Sequence, residues 1–210
     1  YKSIFEEENV RVTFFIDRYT SRIKNKGLTA PLLELQDLGH EIAYHSNDHS
    51  NMTHNLTEFG PSYFEDDFYK QMVKMQDDGF DVSTFAYPFG SNDANTDSLL
   101  SSGFDLLRDF DGQDPDITKC IRKEVSKVMT ACSMDDKSIH DLDNFKVAID
   151  IAEQYKSIFI LAGHAIGEWP NEYTMPPETL REIIRYAKIS GLEFKLYKDL
   201  AEELKSQPLD

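Results

Sequence analysis

An α/β fold is what the sequence predicts, and three observations predict it. Short runs rich in β-branched and aromatic residues alternate with longer stretches of helical periodicity. Glycine or proline punctuates many of the junctions. His45, Pro88-Phe89-Gly90, Arg108 and His164 fall where strand-like runs end, and parallel α/β sheets gather their ligands at such ends. Regular alternation implies parallel strands joined by right-handed crossovers.

Taken in order, residues 10–16 are β-branched and aromatic and read as a buried strand. Residues 30–38 carry Leu32, Leu33, Leu35 and Leu38 at helical spacing, with Pro31 in the first turn and Gly39 as the stop. Residues 41–44 form the next strand. Phe64, Phe68, Met72 and Met75 recur at three- and four-residue intervals, which predicts a helix over 63–78 ended by Gly79. Their stripe is core packing. Residues 84–87 are a short strand entering the turn at Pro88-Phe89-Gly90. A helix over 96–102 and a strand over 104–107 lead to an acidic loop over 109–116. A strand over 125–131 and a helix over 143–155 precede residues 158–162, the clearest buried strand, which ends at Gly163-His164. A helix over 176–190, a last strand over 192–196 and a closing helix over 199–204 complete the chain.

At 210 residues the chain suits one sizeable core and is read as a single domain. A hydrophobic content of 40% with 12% aromatics argues for a folded globule. The net charge of -16 argues against binding nucleic acid or anionic membrane nonspecifically. No apolar run is long enough for a membrane span. The first residue is Tyr1, so the chain reads as a piece or a processed product. Cys120 and Cys132 are expected as two buried or free thiols rather than a disulfide. Asn51-Met52-Thr53 and Asn55-Leu56-Thr57 match the glycosylation sequon, which means nothing without a secretory context.

His45-Ser46-Asn47-Asp48-His49 sets two imidazoles four residues apart on the loop leaving a strand. Neutral imidazole nitrogens suit a divalent metal, but the pair is a partial set, since a stable site needs a third protein ligand. Asp48, between them, is a candidate to touch the metal through water. His40 is read as structural, fixing the strand entry, while His54 and His140 are read as surface residues. His164 directly follows a buried apolar strand, where a satisfied core histidine is the competing reading to a functional one. Trp169-Pro170 places an indole shortly after it, either to stack on a ligand or as a half-buried residue without one.

These segments resemble the polysaccharide deacetylases with the NodB-homology domain, carbohydrate esterase family 4. Residues 9–16 are similar to that family's second strand. Gly39-His40-Glu41-Ile42-Ala43-Tyr44-His45-Ser46-Asn47-Asp48-His49 is similar to its metal-binding His-Ser/Thr-x-x-His motif with the usual lead-in. Phe85-Ala86-Tyr87-Pro88-Phe89-Gly90 is similar to its Arg-x-Pro-Tyr/Phe-Gly groove motif, and Leu161-Ala162-Gly163-His164 to its late catalytic-histidine motif. The resemblance implies a distorted, incomplete (β/α) barrel. It also implies a metal-dependent hydrolase, with Zn2+ the usual metal, that removes acetyl groups from N-acetylated sugars of a polysaccharide or oligosaccharide. On that basis His45 and His49 are the metal ligands and His164 is the general acid. The Phe89 N–H is the oxyanion donor, and Tyr87 and Pro88 wall the groove, with Trp169 beside it. The family's usual setting favours the cell envelope or secretion.

Two departures matter. The family's Asp-Asp pair, its base and third ligand, ends a first strand that the sequence lacks, so the domain is read as N-terminally incomplete. A barrel without that strand leaves a sheet edge and apolar surface uncovered. Asp17 ends the second strand instead and is not promoted to either role. Ala86 stands where the groove motif has Arg, and Arg108 at the next strand end is the candidate replacement, because a guanidinium can hold a carboxylate bidentately. An ordinary surface pair with Asp109 or Asp111 is its competing reading. Three functional readings follow: an active deacetylase, a degenerate member that binds glycan or metal without turnover, and a metal-free interaction domain on the same scaffold.

Overall fold

The computed structural model describes residues 2–111, 114–135, 141–169 and 172–206, the side chains of residues 66 and 67 excepted. His140 and Pro170 lie outside the described residues. The chain runs α1 (Lys2–Glu7), β1 (Thr13–Ile16), α2 (Thr29–Asp37), β2 (Glu41–Tyr44), α3 (Met52–Phe59), α4 (Tyr69–Asp77), β3 (Thr84–Ala86), α5 (Ala94–Leu100) and β4 (Leu106–Asp111). It continues through β5 (Ile121–Arg122), β6 (Val128–Ser133), α6 (Leu142–Tyr155), β7 (Ile158–Phe159), β8 (Leu161–Ala162), β9 (Ala165–Ile166), β10 (Thr174–Met175), α7 (Pro177–Ile189) and α8 (Tyr197–Ser206). The class is α/β, as the alternation predicts. Among the described residues no helix is long and apolar enough to cross a membrane.

The residues cluster into two compact units, Tyr1–Val10 with Phe110–Phe194 and Arg11–Asp109 with Lys195–Asp210. In the second of these, β1 to β4 pair in sequence order and in parallel, with Phe14 beside Ile42, Tyr44 beside Phe85 and Phe85 beside Leu107. β2 is buried along its whole length, as a strand covered on both faces should be. β1 is only half-buried, not the buried strand its composition suggests, and stands at one end of the strand order. The buried Glu41 ties four elements together. It accepts hydrogen bonds from Thr13 Oγ1 (2.7 Å), from Thr84 Oγ1 and from Lys198 N (3.0 Å) in the first turn of α8, where backbone donors lack helical partners and a carboxylate is favoured. His40 Nδ1 accepts from Val12 N at 3.2 Å, which fixes the entry of β1 and β2.

The core of this unit is aromatic. Phe85 lies within 5.1 to 5.9 Å of the rings of Phe68, Phe104, Tyr87 and Tyr44, centroid to centroid. The Phe64, Phe68, Met72 and Met75 stripe is buried, although Phe64–Phe68 winds as a wider π turn before α4 begins. α3 was not foreseen, because its sequence is polar and dominated by the sequon residues. Asn51 caps it, accepting from His54 N at 3.0 Å and from Thr53 Oγ1 at 2.7 Å. Asn55 is buried and donates to Ser50 Oγ. Both sequon side chains are engaged within the fold.

In the other unit β6 and β8 are parallel, β5 and β7 antiparallel, and β9 and β10 parallel. The single buried strand expected over 158–162 is two short half-buried strands that take different partners. Residues 192–196 form no strand; Leu196 N instead donates to Asp199 Oδ2 at 2.9 Å and starts α8. The acidic stretch begins inside β4 rather than in a loop. α1 is held on α7 by Arg185 Nε to Glu8 Oε1 (2.8 Å), Lys188 Nζ to the Glu8 carbonyl (2.6 Å) and Arg181 Nη1 to Glu7 (2.6 Å). Cys120 and Cys132 are disulfide-bonded and buried. The expectation of two separate thiols is overturned because β6 returns beside the turn carrying Cys120, with Cα atoms 5.6 Å apart.

Candidate active site

β2 delivers His45, whose N–H extends the ladder to the Ile16 carbonyl at 3.0 Å. The loop beyond it is built by Ser46 and Asp48. Ser46 is buried, with φ 62°, and its hydroxyl accepts the His49 N–H at 2.9 Å and donates to Asp48 Oδ1 at 3.3 Å. Asp48 Oδ1 also accepts from Ser50 N (3.1 Å) and Ser50 Oγ (2.8 Å), and Oδ2 from Tyr63 OH (3.2 Å). Its carboxylate is the brace of the loop. Asn47 Oδ1 takes Thr20 N and Oγ1 at 3.0 and 2.8 Å. So held, the His45 and His49 rings lie 4.9 Å apart at 79°.

The Nδ1 of His45 lies 2.7 Å from the Ala86 carbonyl. An imidazole that donates Nδ1–H to a backbone carbonyl is oriented to ligate through Nε2, the usual support for a metal-binding histidine. The pair therefore fits a divalent cation in chemistry, and His45 in orientation as well. Among the described residues no group of three or more His, Cys, Asp and Glu is arranged to hold a metal, so the pair is a partial donor set. Asp17 pairs with Arg18.

β3 ends in a one-turn helix over Pro88–Gly90, closed by Gly90 N on the Tyr87 carbonyl at 3.1 Å. Phe89 sits there at φ 61° and is 67% exposed. Its ring meets His49 edge-on at 4.7 Å. A left-handed non-glycine residue costs on the order of 1 kcal/mol, and such strain concentrates at functional sites; Ser46, His49 (φ 56°) and Phe89 all carry it. The Phe89 N–H lies in the first turn, where backbone donors have no partner inside the helix. Tyr87 and Pro88, expected to wall a groove, are buried. Tyr87 OH donates to Asp97 at 2.7 Å and burial pushes its pKa well up, so both residues shape the turn that presents Phe89.

Arg108 lies inside β4, in register with Ala86, and neighbours in parallel register share a face of the sheet. At 8% exposure it is not a surface ion-pairing residue. Its guanidinium stacks over Phe15 at 5.4 Å, and burial lowers its pKa.

His164 and Trp169 belong to the other unit. There, Met134 N on the Ala162 carbonyl at 2.9 Å extends the β6–β8 pairing, so the two strand ends bring Asp135 to His164. Asp135 accepts from His164 N at 2.9 Å through Oδ1 and meets His164 Nδ1 at 2.7 Å through Oδ2. The carboxylate is 2% exposed and the imidazole 49%. A buried carboxylate that holds Nδ1–H presents Nε2 outward as a proton donor or acceptor. Gly163 keeps this approach close, because a Cβ there would lie 3.0 Å from Met134 Cγ and 3.1 Å from Asp135 Oδ1, tighter than most Cβ contacts. Phe110 and Tyr173 flank His164, with rings at 6.0 and 5.2 Å. Asp135 was missed in the sequence because the strand was ended at Ala131; an acidic residue at a strand's carboxyl end was the signal.

Two solved structures share the fold. One is the catalytic domain of a peptidoglycan N-acetylglucosamine deacetylase from Eubacterium rectale, with TM-score 0.54 and 17% identity over 92% of this chain and 78% of that one. The other is a family 4 carbohydrate esterase from Streptomyces lividans in complex with acetate, with TM-score 0.55 and 15% identity over 91% and 81%. The polysaccharide deacetylase family model matches residues 2–105. Residues 2–105 carry the polysaccharide deacetylase pattern. The matched stretch holds His45, His49 and Phe89, while Arg108, Asp135, His164 and Trp169 lie beyond it. No curated protein matches the chain.

Proposed function

We propose that the chain is a metal-dependent N-deacetylase that hydrolyses the acetamide of N-acetylated sugars in a polysaccharide. The single observation that supports it most is the His45–His49 pair with His45 Nδ1 on the Ala86 carbonyl. A divalent metal, most simply Zn2+, would be held by His45 and His49, and when bound it supplies Lewis acidity that makes water nucleophilic near neutral pH. The Phe89 N–H would donate to the oxygen that gains charge as the amide carbonyl is attacked. His164, oriented by Asp135, would protonate the leaving amine from Nε2 and so release acetate and free amine. Arg108, in register with Ala86, would position a carboxylate from the place where the groove motif's Arg is missing. The buried disulfide supports an oxidising location, the cell envelope or exterior.

The test is metal content by mass spectrometry alongside acetate release from an N-acetylated oligosaccharide. His45→Ala and His49→Ala should each lose stoichiometric metal; unchanged uptake in either variant removes the proposed ligands. A second reading, glycan binding without turnover, is favoured by the lack of a three-ligand group among the described residues. Full metal occupancy with no acetate release would select it.

A further inference from the structure

We infer that Tyr63 is a positioning residue: through Asp48 and Ser50 it holds His49 facing His45, and so sets how tightly the pair binds a divalent metal. This rests on the metal-ligand assignment in the reading above. The His49 backbone is left-handed at φ 56°, and Ser46 at φ 62°. Neither is glycine, so the loop relaxes unless its surroundings hold it. Among the described residues, four donors converge on Asp48: Ser46 Oγ, Ser50 N and Ser50 Oγ on Oδ1, and Tyr63 OH on Oδ2. An ionised carboxylate offers about four lone-pair sites. These donors occupy them, and Asp48 serves the loop.

Tyr63 reaches this carboxylate from outside the histidine loop, and its ring is fixed. It stands edge-on to the buried Phe64 at 5.2 Å and tilts against Phe59 at 6.1 Å. Its hydroxyl also lies 3.3 Å from Ser50 Oγ. Asn55, buried on α3, donates to the same Ser50 Oγ and so directs the Ser50 proton onto Asp48. On the far side of Asp48, the Ser46 hydroxyl gives its proton to Oδ1 and keeps a lone pair for the His49 N–H, 2.9 Å away. Each link orients the next hydroxyl, and such chains strengthen one another. Removing the Tyr63 end lets Asp48 and Ser46 turn and releases His49 from its left-handed conformation. Cutting a hydrogen bond behind the ligands of a metal typically weakens its binding by about 10–100-fold.

Tyr63→Phe keeps the ring and deletes only the hydroxyl. Zinc titration of the full chain, in competition with a chromophoric chelator, should show binding about tenfold weaker than in the parent. The visible absorption of the Co2+-loaded variant should differ from that of the parent. Tyr186→Phe is the control, since it deletes a similar phenol–carboxylate bond to Asp150; it should bind zinc like the parent. Deuterium exchange of the His49 N–H, followed by NMR in metal-free protein, should be faster in Tyr63→Phe. Parental zinc affinity in Tyr63→Phe, or an equal loss in Tyr186→Phe, would overturn the inference and leave His45 and His49 as ligands. A parent that takes up no zinc removes the ligands instead. Faster His49 exchange in Tyr63→Phe would then keep the hold on the loop, and unchanged exchange would remove that as well.

Discussion

Asp135 gives one carboxylate oxygen to the backbone and one to the ring of the same histidine. An amide has only one acceptor oxygen and cannot serve both N–H groups. Asp135→Asn should therefore leave the secondary structure intact and lower kcat for acetate release by at least about 10²-fold, the usual scale for losing an oriented acid or base. Undiminished kcat would make the pair merely structural. Gly163→Ala tests the same geometry from below. The added methyl presses on Met134 and on Asp135 Oδ1, so kcat should fall while metal uptake stays at the parent level. At this scale the sequence placed His45 directly after a strand and His164 just beyond one, and the structure has both there. It was opaque for Asp135 and Gly163, whose roles come from contacts with residues far along the chain.

Among the helices, α5 opens with a reciprocal capping box: Asp93 Oδ1 accepts from Asn95 N and Thr96 N at 3.0 and 2.8 Å, and Thr96 Oγ1 accepts the Asp93 N–H at 2.9 Å. Asp93→Ala should cost about 1 kcal/mol and lower Tm by about 2–4 °C in a chain of this size. The Thr96 N–H, ahead of the other contacts, holds the Asp93 carboxyl below its usual pKa. A depressed carboxyl pKa stabilises the fold above the ordinary aspartate value, about 4, and that contribution fades as pH falls through the folded value. The gap in Tm between parent and variant, measured by calorimetry, should be full at pH 7 and shrink in acid. A gap that persists unchanged at low pH would assign the effect to helix propensity instead. Elements with strong periodicity, such as α4, α6 and α7, could be read in advance. The run over 158–162 could not, because two partners on different strands divide it, and apolar composition says nothing about partner exchange. α3 stayed hidden because its Asn and Thr residues act as a cap and as buried hydrogen-bonding groups, while their pattern reads as a polar loop.

For the molecule as a whole, the disulfide joins residues twelve apart in sequence, and closing so short a loop stabilises by about 3 kcal/mol in the chain-entropy account. Reduction under denaturing conditions followed by refolding in reductant should give a protein with a clearly lower Tm by calorimetry; an equal Tm would show that packing around Cys120 and Cys132 suffices without the bond. Composition pointed to two thiols, since two cysteines make no framework pattern, and the bridge becomes visible only in the fold. The division of the chain into units has a further consequence for biosynthesis. Each unit is assembled from two separate stretches of sequence, and the Arg185–Glu8 contact that anchors α1 spans 177 residues. At ribosomal speeds, α1 waits about 10–35 s for α7 to emerge. During that interval the apolar side of α1, with Ile4 and Phe5, is open to chaperones, and no single cut in the gene yields a complete unit.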